Sequence, residues 1–385
     1  MRNVPSPQVP LPLYSPYLGP EVHAAASHAL SEGWLALGPL TRQFESELAA
    51  YLELDASRPL VSTSSCTAAL HLAALVAGAG PGDEVICPAF TYVADHQAIT
   101  QTGADVVLCD IEERTLGADP ASIEALITER TKAVVVVHYA GIPCDIEAIL
   151  EIGRRRGIRV IEDAAHALGT RLNGRPIGSF GDMACFSFGP VKMITSLEGG
   201  CVITPDPADK EVLEQLRLLG VTADTAARYE KGRAWDYDVV RQGFRYHLGS
   251  VQASIGLSQL AMIDTFTENR RQYCQQYNEG LAGIPGVVVP ATDFAEVGAY
   301  IYVIRVDGAA TREALMAHLK ADGIGSGIHY FGAQDYTYYR GARKGDLSVT
   351  ERVSDQVVSL PLHGIMDDGA VERVVASIRS FFCGR

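Results

Sequence analysis

The sequence predicts an α/β protein: a large domain built on a mainly parallel sheet with helices on both faces, plus a smaller C-terminal α/β domain. Two observations carry this. From about residue 60 to 205, short continuous apolar runs alternate with amphipathic helical patterns. A strand that is apolar along its whole length is buried on both faces, which is the condition of a parallel sheet covered by helices. After residue 205 the pattern changes to a charged, aromatic stretch over 221–245, a long helical pattern from Gly249, and then shorter strands and helices.

The elements follow in chain order. Ser62-Thr-Ser-Ser-Cys-Thr-Ala-Ala-Leu-His-Leu-Ala-Ala-Leu75 is a hydroxyl cluster running straight into a helical pattern. The expected strands are Glu84-Val-Ile-Cys87, Val106-Val-Leu-Cys109, Val134-Val-Val-Val137, Arg159-Val-Ile-Glu162 and Met183-Ala-Cys-Phe-Ser-Phe188. Helical patterns at 121–127 and 146–152 lie between them. In such a sheet ligands collect at the carboxyl ends of the strands, where Asp110, His138, Asp163 and Ser187 form one rim. The later part offers a strand at Tyr300-Ile-Tyr-Val-Ile-Arg-Val306 and helices at 311–321 and 368–381. The division is expected near residue 260, giving 1–260 and 261–385.

Bulk properties narrow the function classes. The chain has 385 residues, 47% of them hydrophobic, enough for more than one packing unit. A net charge of −14 leaves no footprint for nucleic acid or an anionic membrane surface. No apolar run approaches the roughly 20 residues of a bilayer span, and the first residues lack the core of a signal peptide. The eight cysteines are scattered, with no CxxC pair and no His/Cys cluster at ligand spacing. A cytoplasmic location without structural zinc is expected.

Chemistry concentrates in four segments. In Cys185-Phe-Ser-Phe-Gly-Pro-Val-Lys192-Met-Ile-Thr-Ser-Leu-Glu-Gly-Gly200, a lysine leaves an apolar strand between a hydroxyl and a Glu-Gly-Gly turn. Desolvation frees such an amine to attack an aldehyde, so Lys192 suits a Schiff base with pyridoxal 5'-phosphate, PLP. The helix opening at Ser65 and Thr67 suits a phosphate through its dipole and free N–H groups, or is an ordinary Ser/Thr cap. Tyr92 in Phe90-Thr-Tyr92 either lies against a planar ring or packs in a core or interface. Glu162-Asp-Ala-Ala-His166 puts a carboxylate at the end of an apolar strand, where an unpaired charge is costly. Asp163 facing a protonated pyridine nitrogen removes that cost; the alternative is a helix cap with a solvated histidine.

These segments together resemble the DegT/DnrJ/EryC1/StrS family of PLP-dependent sugar aminotransferases, within fold-type I, the aspartate aminotransferase-like group. The likeness runs nearly end to end, through Glu32-Gly-Trp34, Leu37-Gly-Pro39, Thr67-Ala-Ala-Leu70, Gly82-Asp-Glu-Val85, Phe90-Thr-Tyr92, Glu162-Asp-Ala-Ala165, Phe186-Ser-Phe188, Lys192, Glu198-Gly-Gly200, Gln252-Ala253, Gln259-Leu260 and Leu360-Pro361. It implies a mixed, mainly parallel seven-stranded sheet in the large domain. It implies that Lys192 carries the cofactor, Asp163 partners the pyridinium and His166 meets the phenolic oxygen. Thr67, Ala68 and Ser187, beside Cys66, would bind phosphate, and Tyr92 would stack on the ring. It further implies a homodimer with shared active sites, through Gly243-Phe-Arg-Tyr-His-Leu248, an amino-acid donor, commonly glutamate, and a keto-sugar acceptor.

Three departures from the family pattern stand out. Cys66 occupies a position usually small, often glycine; Gly189 replaces a frequent aromatic or histidine. Arg245 and His247 stand where the cross-subunit segment usually carries asparagine, so either is expected to make that phosphate contact. In Gly327-Ile-His-Tyr330, His329 is the candidate substrate residue; Tyr330, Lys231 and Arg233 are further possibilities. Competing readings are a PLP-dependent sugar dehydratase, against which Lys192 counts, a cyclitol aminotransferase, and a non-catalytic PLP- or sugar-binding regulator. A nicotinamide oxidoreductase is weaker, because no G-x-G-x-x-G opens a helix after the early strands.

Overall fold

The computed structural model describes residues 10–222, 235 and 237–384. The predicted apolar runs form strands in the order expected. They are β1 (Leu60–Thr63), β2 (Glu84–Pro88), β3 (Asp105–Cys109), β4 (Thr131–Val137) and β5 (Arg159–Asp163), then a small hairpin, β6 (Arg171–Leu172) and β7 (Arg175–Pro176). β8 (Met183–Ser187), β9 (Gly200–Ile203), β10 (Val287–Val288), β11 (Tyr302–Val306), β12 (Arg343–Lys344) and β13 (Val357–Leu360) follow.

The large sheet has the order β1-β9-β8-β5-β4-β2-β3-β12. β8, β5, β4, β2, β3 and β12 run parallel, while β9 pairs antiparallel with both β1 and β8. The seven strands implied by the family likeness are present. The eighth, two-residue β12 is lent to the edge by the C-terminal part of the chain, which shields β3. Helices Cys66–Val76 and Val93–Gln101 pack on the sheet through Ala69, Leu72, Ala73, Ala98 and Ile99, against Val61, Val85, Val135 and Val202.

Local signals set the helix ends. Helix Ile146–Arg156 starts at Asp145, whose carboxylate accepts from the Ala148 amide at 3.3 Å. It carries Arg154, Arg155 and Arg156 in its last turn and stops at Gly157, whose φ of 68° a side chain would resist.

The chain changes partners after Ala261. Helix Ser250–Leu260 packs on the N-terminal helices Pro20–Glu32 and Pro39–Tyr51, whereas Ile263–Leu281 packs on Ala370–Cys383. The latter belong with a three-stranded sheet, β10-β11-β13, around Tyr277, Tyr302, Ile304, Leu315, Val358 and Val374. We keep 1–260 and 261–385 as the proposed division. Leu11 crosses it by pairing with Ile324, as β12 does from the other side. Among the described residues no helix is long and apolar enough to cross a membrane.

Candidate active site

The parallel strands end on one rim, and there the four residues picked out by sequence part company. Asp110 is tied to helix Ser348–Ser354, accepting from the amides of Val349 and Thr350 and from the Thr350 hydroxyl. His138 is fully buried and bonds Glu162 at 3.0 Å. These two hold the scaffold. Asp163 and Ser187 instead line a cavity of about 410 Å³ between the rim and the C-terminal part of the chain.

Lys192 reaches the same cavity on a loop whose ends are pinned together. Phe188 donates its amide to Gly199 O and accepts at its carbonyl from the Ser196 amide, both at 2.9 Å. Its ring is buried edge-on against Phe44, centroids 5.2 Å apart. Gly200 completes the arrangement: a Cβ there would lie 2.5 Å from the Cys66 nitrogen. Only glycine lets β9 pass so close to the start of helix Cys66–Val76. The Glu-Gly-Gly turn thus brings the lysine loop and the helix N-terminus together.

At that N-terminus Ser65 is the cap, its hydroxyl accepting from the Ala68 amide at 3.1 Å. Ala68 is thereby engaged and buried behind the wall, while Ser65, Cys66 and Thr67 line the cavity. Burial raises the Cys66 thiol well above its ordinary pKa, with Asp163 adding to the effect. Cys66 is therefore a neutral thiol that donates a weak hydrogen bond to Asp163 Oδ1 at 3.9 Å. Asp163 is itself pushed upward by burial, opposed by the Ala165 amide at 2.8 Å and by Lys192.

An aromatic wall faces the lysine. Lys192 Nζ lies 4.0 Å from the Tyr300 ring centroid, a cation–π distance. Tyr300 stacks on Tyr14 and packs 4.4 Å from the His166 ring. His166 shares a hydrogen bond with the Tyr330 hydroxyl at 3.2 Å, and its Nδ1 is buried without a partner. Burial, then the charges of Lys192 and His329, hold its imidazole well below its ordinary pKa, so the ring is neutral. Tyr14 and Tyr300 carry no local sequence signal of a site role, because Tyr300 gains its role only by meeting Lys192, and Tyr14 by backing Tyr300, across long stretches of chain.

His329 stands on the cavity wall with both ring nitrogens taken, Nε2 by Tyr14 at 2.6 Å and Nδ1 by Ser359 at 2.7 Å. Burial and then Lys192 lower its pKa to about 4. It braces the wall more than it offers a free polar group. Tyr92 lies at the mouth, 57% exposed, its ring 5.7 Å from Tyr330. Gly189 leaves space beside the lysine, its nearest neighbours being Ser187, Glu198 and Lys192.

Arg245 and His247 do not line this cavity. Their segment packs near the helix entrance, where the Tyr246 carbonyl accepts from the Ser64 amide. Arg245 is exposed, and His247 Nδ1 is buried without a partner among the described residues. Lys231 and Arg233 lie outside the described residues.

The sequence matches the profile of the DegT/DnrJ/EryC1/StrS aminotransferase family over residues 16–379. Among solved structures, the chain is similar to the aminotransferase TlmJ from Streptoalloteichus hindustanus, at 34% identity and TM-score 0.89, covering 96% of this chain and 98% of that one. It is similar to Spr1654 from Streptococcus pneumoniae in its PMP form, at 30% identity and TM-score 0.89, covering 96% and 98%. It is likewise similar to the sugar aminotransferase CalS13 from Micromonospora echinospora, at 30% identity and TM-score 0.87, covering 96% and 99%.

Proposed function

Because the chain belongs to the DegT/DnrJ/EryC1/StrS aminotransferase family and is a PLP-dependent aminotransferase, we propose that it moves an amino group from glutamate to a nucleotide-linked keto-sugar. One observation carries the site assignment. A single cavity gathers an amine on Lys192, a buried carboxyl on Asp163 and a hydroxyl-bearing helix N-terminus.

The residues present fit the cofactor. His166 Nδ1 is buried and lacks a partner, and the first turn of helix Cys66–Val76 has amides with no intrahelical acceptor. Thr67, those amides and Ser187 would hold the phosphate, with Cys66 filling the cradle and Ala68 backing it. His166 would meet the phenolic oxygen, Asp163 the pyridine nitrogen and Tyr92 the ring. When bound, PLP supplies an electron sink for the charge left as a proton leaves the carbon carrying the amino group.

The protein's own part is proton transfer, orientation and charge. Lys192 Nζ would take the proton from the donor's α carbon and pass it to the cofactor's aldehyde carbon, acting as base and then acid. Asp163 keeps a negative charge in a desolvated site, which fixes the protonation of the group it faces. Tyr14, Tyr300 and Tyr330 exclude water from one side of the amine. The space at Gly189 leaves room for a bulky acceptor beside Lys192.

A half-reaction screen tests the substrates. Glutamate should release 2-oxoglutarate from the PLP form, and among keto-sugars and keto-cyclitols the nucleotide-linked keto-sugars should best convert the pyridoxamine form back to the visibly absorbing PLP form. Restoration by keto-cyclitols alone would overturn the sugar assignment.

Exposed Arg245, and His247 whose buried Nδ1 meets no partner among the described residues, both away from their own cavity, support a homodimer in which this segment reaches the neighbouring site. Arg245→Ala is then expected to raise the PLP dissociation constant about tenfold or more, the worth of one charge-assisted hydrogen bond. Unchanged affinity on titration removes Arg245 from the cradle and leaves His247. Seven of the eight cysteines are buried and all are unpaired, which supports a reducing, cytoplasmic location.

A further inference from the structure

Asp95 is buried beside this site and has no part in the chemistry described so far. It lies in the first turn of helix Val93–Gln101, just after Tyr92. Thr91 donates its hydroxyl to Asp95 Oδ2 at 2.7 Å, while Oδ1 is buried and meets no N–H or hydroxyl donor among the described residues. That carboxyl faces the carboxyl of Asp163, close enough for a hydrogen bond once one of them carries a proton. β2 delivers Asp95 and β5 delivers Asp163, with β4 between them in the sheet.

Two carboxylates facing each other away from water cannot both ionise, so the pair retains a proton. The surroundings decide where it sits. Asp163 is held as the anion by the Ala165 amide, Lys192 and His138. Asp95 has only the Thr91 hydroxyl and the more weakly felt Lys192, and burial and then Asp163 drive its carboxyl well above the usual range. Among the described residues the pair is also felt by the thiols of Cys66, Cys87 and Cys185, and Asp163 by the Tyr330 hydroxyl, each kept neutral by burial.

We propose that Asp95 is a positioning residue, a neutral carboxylic acid whose proton is donated to Asp163 and so fixes the carboxylate turned toward the cofactor's ring nitrogen. This rests on the PLP assignment for its purpose, though not for the pairing of the two carboxyls. In Asp95→Asn the amide nitrogen can replace the donor and its oxygen can still accept from Thr91. Asp95→Ala removes both.

The pairing is tested on the apoenzyme by melting wild type and Asp95→Asn across pH. A carboxyl raised in the folded state keeps a proton that the unfolded chain releases above about pH 4, so its stabilising contribution is present below that pH and lost as pH rises. Asp95→Asn escapes that loss. Its melting temperature should exceed wild type by roughly 2 °C or more at pH 8, with the gap closing toward pH 4. The purpose is tested by PLP titration at pH 7. Asp95→Asn should bind within about twofold of wild type, and Asp95→Ala about tenfold more weakly. If Asp95→Asn binds as weakly as Asp95→Ala, an ionised Asp95 is required and the proposal falls. It falls equally if the two apoenzyme melting profiles coincide. Failure of wild type itself to bind PLP would strike the cofactor assignment instead, leaving the apoenzyme comparison to report on the pair.

Discussion

Lys192→Ala is expected to lower the transamination rate by roughly 10⁴-fold or more and to remove the visible absorbance that covalent attachment gives the cofactor. The size follows from losing two services at once: the nucleophile that holds the aldehyde and the base that moves the α proton. No other lysine lines the cavity among the described residues, so no neighbour can substitute. Lys192→Arg should not rescue activity, because a guanidinium does not give up its proton near neutral pH. Folding should survive, since the side chain is half-buried and packs on one face of Tyr300. Single-turnover kinetics with glutamate, read beside the absorbance spectrum and a melting curve, check all three. A variant keeping both turnover and absorbance refutes the assignment of Lys192.

Asp163→Asn should slow the half-reaction by about 10²-fold or more, the cost of leaving a buried cation without its counter-charge. The amide keeps the shape of the carboxylate and can still accept from the Ala165 amide. The apoenzyme should move the other way. Burial raises the Asp163 carboxyl, so ionising it costs folding stability as pH climbs above the usual carboxylate range. Neutral asparagine avoids that cost, and the variant should melt above wild type at pH 8, with the difference shrinking toward pH 4. Activity lost while apoenzyme stability is gained separates a role in chemistry from one in folding. If both fall together, Asp163 serves the scaffold.

Much of the fold was legible because burial on both faces leaves a local mark. β2, β3, β4 and β5 are runs rich in valine with isoleucine, leucine or cysteine, β8 is a run of methionine, alanine, cysteine and phenylalanine, and each forms within a few residues of the predicted position. β1 and β9 escaped, being four residues each and paired antiparallel to one another. β12 could not be read at all, since two residues of Arg-Lys become a strand only by meeting the edge of β3.

The site divides along the same line. Lys192, Asp163, Thr67 and Ser187 could be read as candidates from their own segments, because each sets a charge or hydroxyl at or just past the end of an apolar strand, or at a helix start, where it needs a polar partner. The other relations at the site have no such local mark. The packing of distant segments put Tyr300 against the lysine with Tyr14 stacked behind it, tied off both nitrogens of His329, left Arg245 outside its own cavity, and set Asp95 beside Asp163. Those relations arise where strand order brings distant segments to one rim, and a hydrophobic pattern, which records only whether a residue is buried, carries no mark of what it is buried against.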